Sequence, residues 1–190
     1  MKIGVIGGNG VAATNRLCDM IERKVTAAGA FRDAHHPDMI VAQATQVPSR
    51  SMFLEGRGLD WRPDYIRIAK DLKQLGCDVA CMCCNTAHYA INDVSNGADI
   101  PFINLLEEVA IVVRNKGLKK IELWVSDGAR KFDIYGSVFK RIAPGVEPLF
   151  LVVIVAFVVV AVAFDVVAFV VVVAFVVVVF VVVVFVVVVV

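Results

Sequence analysis

Along the first 148 positions the apolar residues fall into short blocks whose spacing alternates between two periods. The run at 2–6 is stopped by Gly7-Gly8-Asn9-Gly10 and reads as a buried strand followed by a tight turn. Over 12–28, Leu17, Met20, Ile21 and Val25 recur at helical spacing. A second apolar run, 38–44, follows Pro37 and leads into a polar loop at 46–51. An amphipathic helix is expected over 63–75, closed by Gly76 as its C-terminal cap. The same reading predicts strands at 79–83, 102–104 and 121–125, and helices at 85–94, 105–115 and 130–142.

Strands alternating with helices argue for an α/β fold, a parallel sheet with helices on both faces. Ligands in this architecture bind beyond the carboxyl ends of the strands. The polar motifs of this chain sit at those ends, so topology and chemistry point to one place.

Composition divides the chain in two. Residues 1–148 hold every glycine, proline and cysteine and all charged residues but one, whereas in 149–190 the only polar residue is Asp165. The expected organisation is an α/β domain over 1–148 and a low-complexity apolar tail over 149–190. From position 164 onward the tail's phenylalanines, at 164, 169, 175, 180 and 185, follow neither helix nor strand periodicity. It is long enough to span a bilayer but lacks the flanking aromatic and basic residues of natural spans. It therefore reads as degenerate or synthetic rather than as a membrane anchor, with the anchor left open. Net charge is +1 and no basic run exceeds two residues, which argues against a nucleic-acid partner. The N-terminus does not resemble a secretory signal, so a cytoplasmic location is expected.

The candidate chemistry lies in three loops. Gly7-Gly8-Asn9-Gly10 opens a helix whose first amides suit an anion such as a carboxylate, although a tight turn without function explains it equally well. Of the five cysteines, four fall between 77 and 84, a crowding unlike a disulfide framework. Cys81-Met82-Cys83-Cys84 could suggest a metal site. Strand geometry sends alternate side chains to opposite faces, however, and no metal is expected. Cys84-Asn85-Thr86-Ala87-His88 places a cysteine where a strand meets a helix N-terminus, which favours the reactive thiolate. The competing reading is a buried structural cysteine. Cys81, Cys83, Cys18 and Cys77 read as core and packing residues. Arg50, taken alone, reads as a solvated loop arginine.

KIGVIGGNGVAAT (2–14), VPSRS (47–51), CNTAH (84–88) and IPFINLLEEVA (100–110) occur in the order seen in aspartate/glutamate racemases, and the chain resembles that family over about residues 1–148. The resemblance implies a flavodoxin-like first half of a racemase, which uses no pyridoxal phosphate, metal or other cofactor. It implies that Cys84 is one of two cysteines flanking the substrate Cα, one removing the proton and the other returning it. Asn9, Asn85 and Thr86 would then bind the amino and carboxylate groups of an amino-acid substrate, aspartate or glutamate. Arg50 would pair with a carboxylate through its bidentate fork. His88 would orient the turn or support the residues around the cysteine, and Thr14 reads as a helix-packing residue. A homodimer is left open.

The chain departs from the family in its second part. The family's second cysteine lies in a CTE- or CTH-like motif, and no cysteine follows Cys84 here. One base can remove a proton from one face only, so racemase activity of the chain as written is in doubt. The alternatives are an inactive or ligand-binding remnant, tethered to a membrane or not, and a one-cysteine isomerase or decarboxylase of the same superfamily.

Overall fold

The computed structural model describes residues 1–152, 170–172 and 185–188. These residues separate into two compact units, Met1–Leu105 and Leu106–Val190.

In the first unit, β1 (Lys2–Gly7) lies between β2 (Asp38–Gln43) and β3 (Val79–Met82), and both neighbours run parallel to it. The register pairs Gly7 with Gln43 and Ile6 with Met82, so the three strands end at one common edge. The strand expected at 102–104 is reduced to a single parallel bridge, Ala80 to Phe102. Ala80 N–H donates to the Pro101 carbonyl (2.9 Å) and Ile103 N–H to the Ala80 carbonyl (2.8 Å). Pro101 has no amide proton to extend the ladder, and helix α5 (Leu105–Asn115) begins four residues later.

Helices α1 (Val11–Ala27) and α3 (Arg62–Gln74) cover opposite faces of this sheet, as two glycines of β1 show. A Cβ on Gly4 would stand 2.9 Å from Leu72 Cδ1 of α3, and one on Gly7 would stand 2.4 Å from Thr14 Cγ2 of α1. Positions 4 and 7 point to opposite sides of a strand, so each helix rests against one of them. In α3 the buried residues Tyr65, Ile68, Ala69 and Leu72 trace one stripe at helical spacing. Gly76, at φ +83°, ends the helix, and Cys77 N–H reaches back to the Leu72 carbonyl at 3.0 Å. That is the cap expected from the sequence. In α1 only Ala13 and Thr14 are buried, and Met20, placed on the apolar stripe by its spacing, is half exposed.

Two further segments differ from expectation. The polar loop at 46–51 contains the start of a short helix, α2 (Arg50–Leu54), because the Ser49 hydroxyl accepts the Met52 amide as an N-cap. The helix expected over 85–94 begins as a 3₁₀ turn, Thr86–Ala90, and becomes α4 only at Ile91–Ala98.

In the second unit, β4 (Lys120–Val125) pairs in parallel with β5 (Glu147–Val152). β6 (Val170–Val172) and β7 (Phe185–Val188) extend this sheet with antiparallel pairings, in the order β5-β4-β7-β6. The described strands thus form two sheets rather than one, the first parallel and the second mixed. The helix expected over 130–142 is two helices, α6 (Asp127–Lys131) and α7 (Gly136–Ile142). Asp133 breaks them apart with φ +47°, and its carboxylate occupies the space a Cβ on Gly136 would need. The change in composition after residue 148 falls within β5, and most of the apolar tail lies outside the described residues. Among the described residues no helix is long and apolar enough to cross a membrane.

Candidate active site

The common edge of the three parallel strands gathers three loops: 8–10 after β1, 44–50 after β2 and 83–86 after β3. The first two are pressed together. A Cβ on Gly8 would lie 2.5 Å from the Ala44 nitrogen, and Gly8 itself takes φ +84°, so glycine is required on both counts. Thr14 braces the same turn from within α1. Its hydroxyl accepts the Gly8 amide (3.0 Å) and donates to the Gly10 carbonyl (3.0 Å). The side chain is fully buried, which makes Thr14 a packing and bracing residue. Gly10 is the N-cap of α1, and no side chain caps that end. Asn9, between the two glycines, is half-buried, and neither its amide nitrogen nor its amide oxygen has a partner. Buried polar atoms are rarely left so.

After β3 the chain carries Cys83 into the core and leaves Cys84 half-buried. The Cys84 carbonyl accepts the Ala87 amide (3.2 Å) and the Asn85 carbonyl accepts the His88 amide (3.0 Å), which winds the 3₁₀ turn. His88 then folds back over it. Its Nδ1 lies 2.9 Å from the Cys84 carbonyl, and its Nε2 accepts the Leu105 amide at 3.2 Å. The Nε2 contact uses a backbone donor, so the ring proton sits on Nδ1 and is donated to Cys84. Burial holds the imidazole neutral, with its pKa lowered to about 4. Asn85 and Thr86 are buried beside it.

Burial disfavours the thiolate at the neighbouring cysteines. Burial pushes the Cys81 thiol up to about 12 and the Cys83 thiol up to about 11, the latter moderated by the Thr14 hydroxyl. Cys77 is shifted in the same direction, again by burial.

Arg50 opens α2 at the end of the second loop. Its Nη1 donates to the carbonyls of Pro48 (2.8 Å) and Val47 (3.3 Å), which anchors the guanidinium, while Nε is buried with no partner. Two residues that the sequence reading passed over lie close by. Trp61 and Tyr65 are completely buried and meet edge to face, with ring centroids 4.8 Å apart. The indole nitrogen of Trp61 and the hydroxyl of Tyr65 are both without partners. Burial raises the phenol's pKa above its usual value. A charged Cys84 sulfur raises it further and the Arg50 guanidinium opposes the shift, so Tyr65 lies within electrostatic reach of both. A tryptophan and a tyrosine four residues apart at the start of an amphipathic helix were the available signal, because both carry polar atoms onto the buried stripe.

The arrangement is a parallel α/β sheet with Asn9, Arg50, Cys84, Asn85 and Thr86 in the loops at its carboxyl edge. A sequence profile of the Asp/Glu/hydantoin racemase family matches residues 3–150, and the chain belongs to that family. Its fold is similar to that of Picrophilus torridus aspartate racemase, at 20% identity and a TM-score of 0.68. That match covers 78% of this chain and 62% of the other. An aspartate racemase homologue from Pyrococcus horikoshii OT3 is similar at 22% identity and a TM-score of 0.60, covering 79% and 64%. The chain therefore spans less than two thirds of the length of either structure.

Proposed function

We propose that this chain carries one acid/base half of a cofactor-independent amino-acid racemase reaction, with aspartate or glutamate as substrate. The observation that carries the reading is Cys84, half-buried at the carboxyl edge of β3, while burial raises the pKa of Cys81 and Cys83 beside it in the chain. The Cys84 thiolate takes the proton from Cα, forming S–H as C–H breaks, and the electron pair moves into the adjoining carboxylate. A thiolate is a weak base for such a proton, so the charge that develops must meet fixed dipoles. Asn9, with both amide atoms unpaired, and Asn85 and Thr86 at the strand end are assigned to the amino and α-carboxylate groups. Arg50 is assigned to the side-chain carboxylate. His88 fixes the peptide of Cys84 and touches no substrate.

Inversion needs a proton donor on the opposite face, and no cysteine follows Cys84 in these 190 residues. A second reading is that these residues bind the amino acid without exchanging its Cα proton. All five cysteines are free thiols, which fits action in a reducing, cytoplasmic setting. Chiral chromatography of L-aspartate incubated with the purified chain tests whether a second base is at work. The expected result is no D-aspartate. Formation of D-aspartate that Cys84→Ser abolishes would mean that another residue is the second base.

A further inference from the structure

Four residues of the first unit hold buried polar atoms without partners: Asn9, Arg50, Trp61 and Tyr65. Asn9 and Arg50 already have roles above. Tyr65 does not, and its situation is costly. A hydroxyl buried without a partner loses its hydration and gains nothing in exchange. Phenylalanine would fill the same place in the stripe of α3 without that cost. The ring is held tightly, edge to face against Trp61 and inside the cluster that also includes Ile68, Leu72 and Ala87. Val47 and Phe53, which flank Arg50 in the chain, pack against the same cluster, as does Cys84. The hydroxyl and Arg50 Nε are thus two unsatisfied groups on neighbouring elements beside the proposed base.

We infer that Tyr65 is a substrate-binding residue whose Oη donates a hydrogen bond to the side-chain carboxylate of a dicarboxylic amino acid, the same carboxylate that Arg50 takes through Nε. The inference rests on the substrate reading given above and deepens it, because it makes a neutral donor part of the selection for acidic substrates. Oη keeps its proton because burial and the nearby sulfur hold the phenol's pKa up, so the residue serves as a donor and not as a base. Oη is covered in the free chain. Binding therefore has to uncover Oη, after which both groups gain the acceptor they lack. A charged acceptor is the partner that best compensates two desolvated donors, one of them cationic.

The test is Tyr65→Phe in the full chain. Isothermal titration with L-aspartate and with L-asparagine, its neutral isostere, is combined with thermal unfolding of the free protein. The expected result is a melting temperature equal to or above that of the unmodified chain, at least a tenfold loss of aspartate affinity, and asparagine affinity unchanged within twofold. Aspartate affinity within twofold of the unmodified chain overturns the assignment. So does a drop in melting temperature with equal weakening of both ligands, which would mean that the hydroxyl has a structural partner. If the unmodified chain binds neither aspartate nor glutamate, the acidic-substrate reading fails and the tyrosine assignment fails with it. That outcome is distinct from the first two, where the unmodified chain binds and only the role of Tyr65 is lost.

Discussion

The imidazole of His88 and the carbonyl of Cys84 are 2.9 Å apart, a contact that joins the last residue of the CNTAH motif to its first. Because Leu105 N–H fills the other ring nitrogen, the neutral ring is the form that fits. The folded-state pKa, about 4, lies below the ordinary value of 6.5. The stability tied to the neutral ring is therefore complete above about pH 6.5 and is lost as pH falls from there through about 4. At pH 4.5 the loss is roughly 2–3 kcal/mol. Urea unfolding at pH 7 and pH 4.5 checks this. His88→Gln should lower stability at pH 7 yet lose clearly less than the unmodified chain on acidification, and an equal loss in both would remove His88 from the account.

The Gly7–Thr14 contact can be measured as a coupling. Gly7→Ala brings a methyl into Thr14 and should destabilise the chain by about 1–3 kcal/mol. On a Thr14→Ala background the same change should cost less, because the side chain it meets is gone. A double-mutant cycle with no coupling would mean that the turn relaxes without α1.

Thiol reactivity follows burial. Brief iodoacetamide treatment of the folded protein, mapped by mass spectrometry, should modify Cys84 well before Cys77, Cys81 and Cys83, whose thiols are all shifted upward. Cys18, also half-buried, is the real competitor. Modification of Cys18 or Cys77 ahead of Cys84 would count against the catalytic assignment.

Arg50 tests the substrate reading. Its Nη1 is held by two carbonyls of its own loop while Nε is unspent, a division of labour that a lysine ammonium cannot reproduce. Arg50→Lys should weaken aspartate binding about tenfold, on the order of 1.4 kcal/mol, and leave alanine binding nearly unchanged. Equal weakening of both would place Arg50 outside the site.

The first strand, α1 and α3 were legible in the sequence because their periodicity is strong and their stops are glycines: Gly7-Gly8 after β1 and Gly76 after α3. The position of Cys84 at a strand end followed from the same pattern. Three features were not legible. The 3₁₀ turn after Cys84 depends on His88 folding back over the backbone, which no local propensity encodes. The split between α6 and α7 rests on Asp133 adopting a left-handed conformation, open to aspartate but not announced by it. Tyr65 and Trp61 looked like ordinary residues at the start of an amphipathic helix, and only three-dimensional packing shows that their polar atoms are without partners.

The most direct test of the central claim is exchange at Cα. L-aspartate is incubated with the purified chain in deuterium oxide, and loss of the Cα proton signal is followed by NMR. The account predicts deuterium entering L-aspartate with its configuration retained, and no exchange with Cys84→Ser. Exchange that persists in Cys84→Ser, or no exchange in the unmodified chain under conditions where aspartate binds, would contradict it.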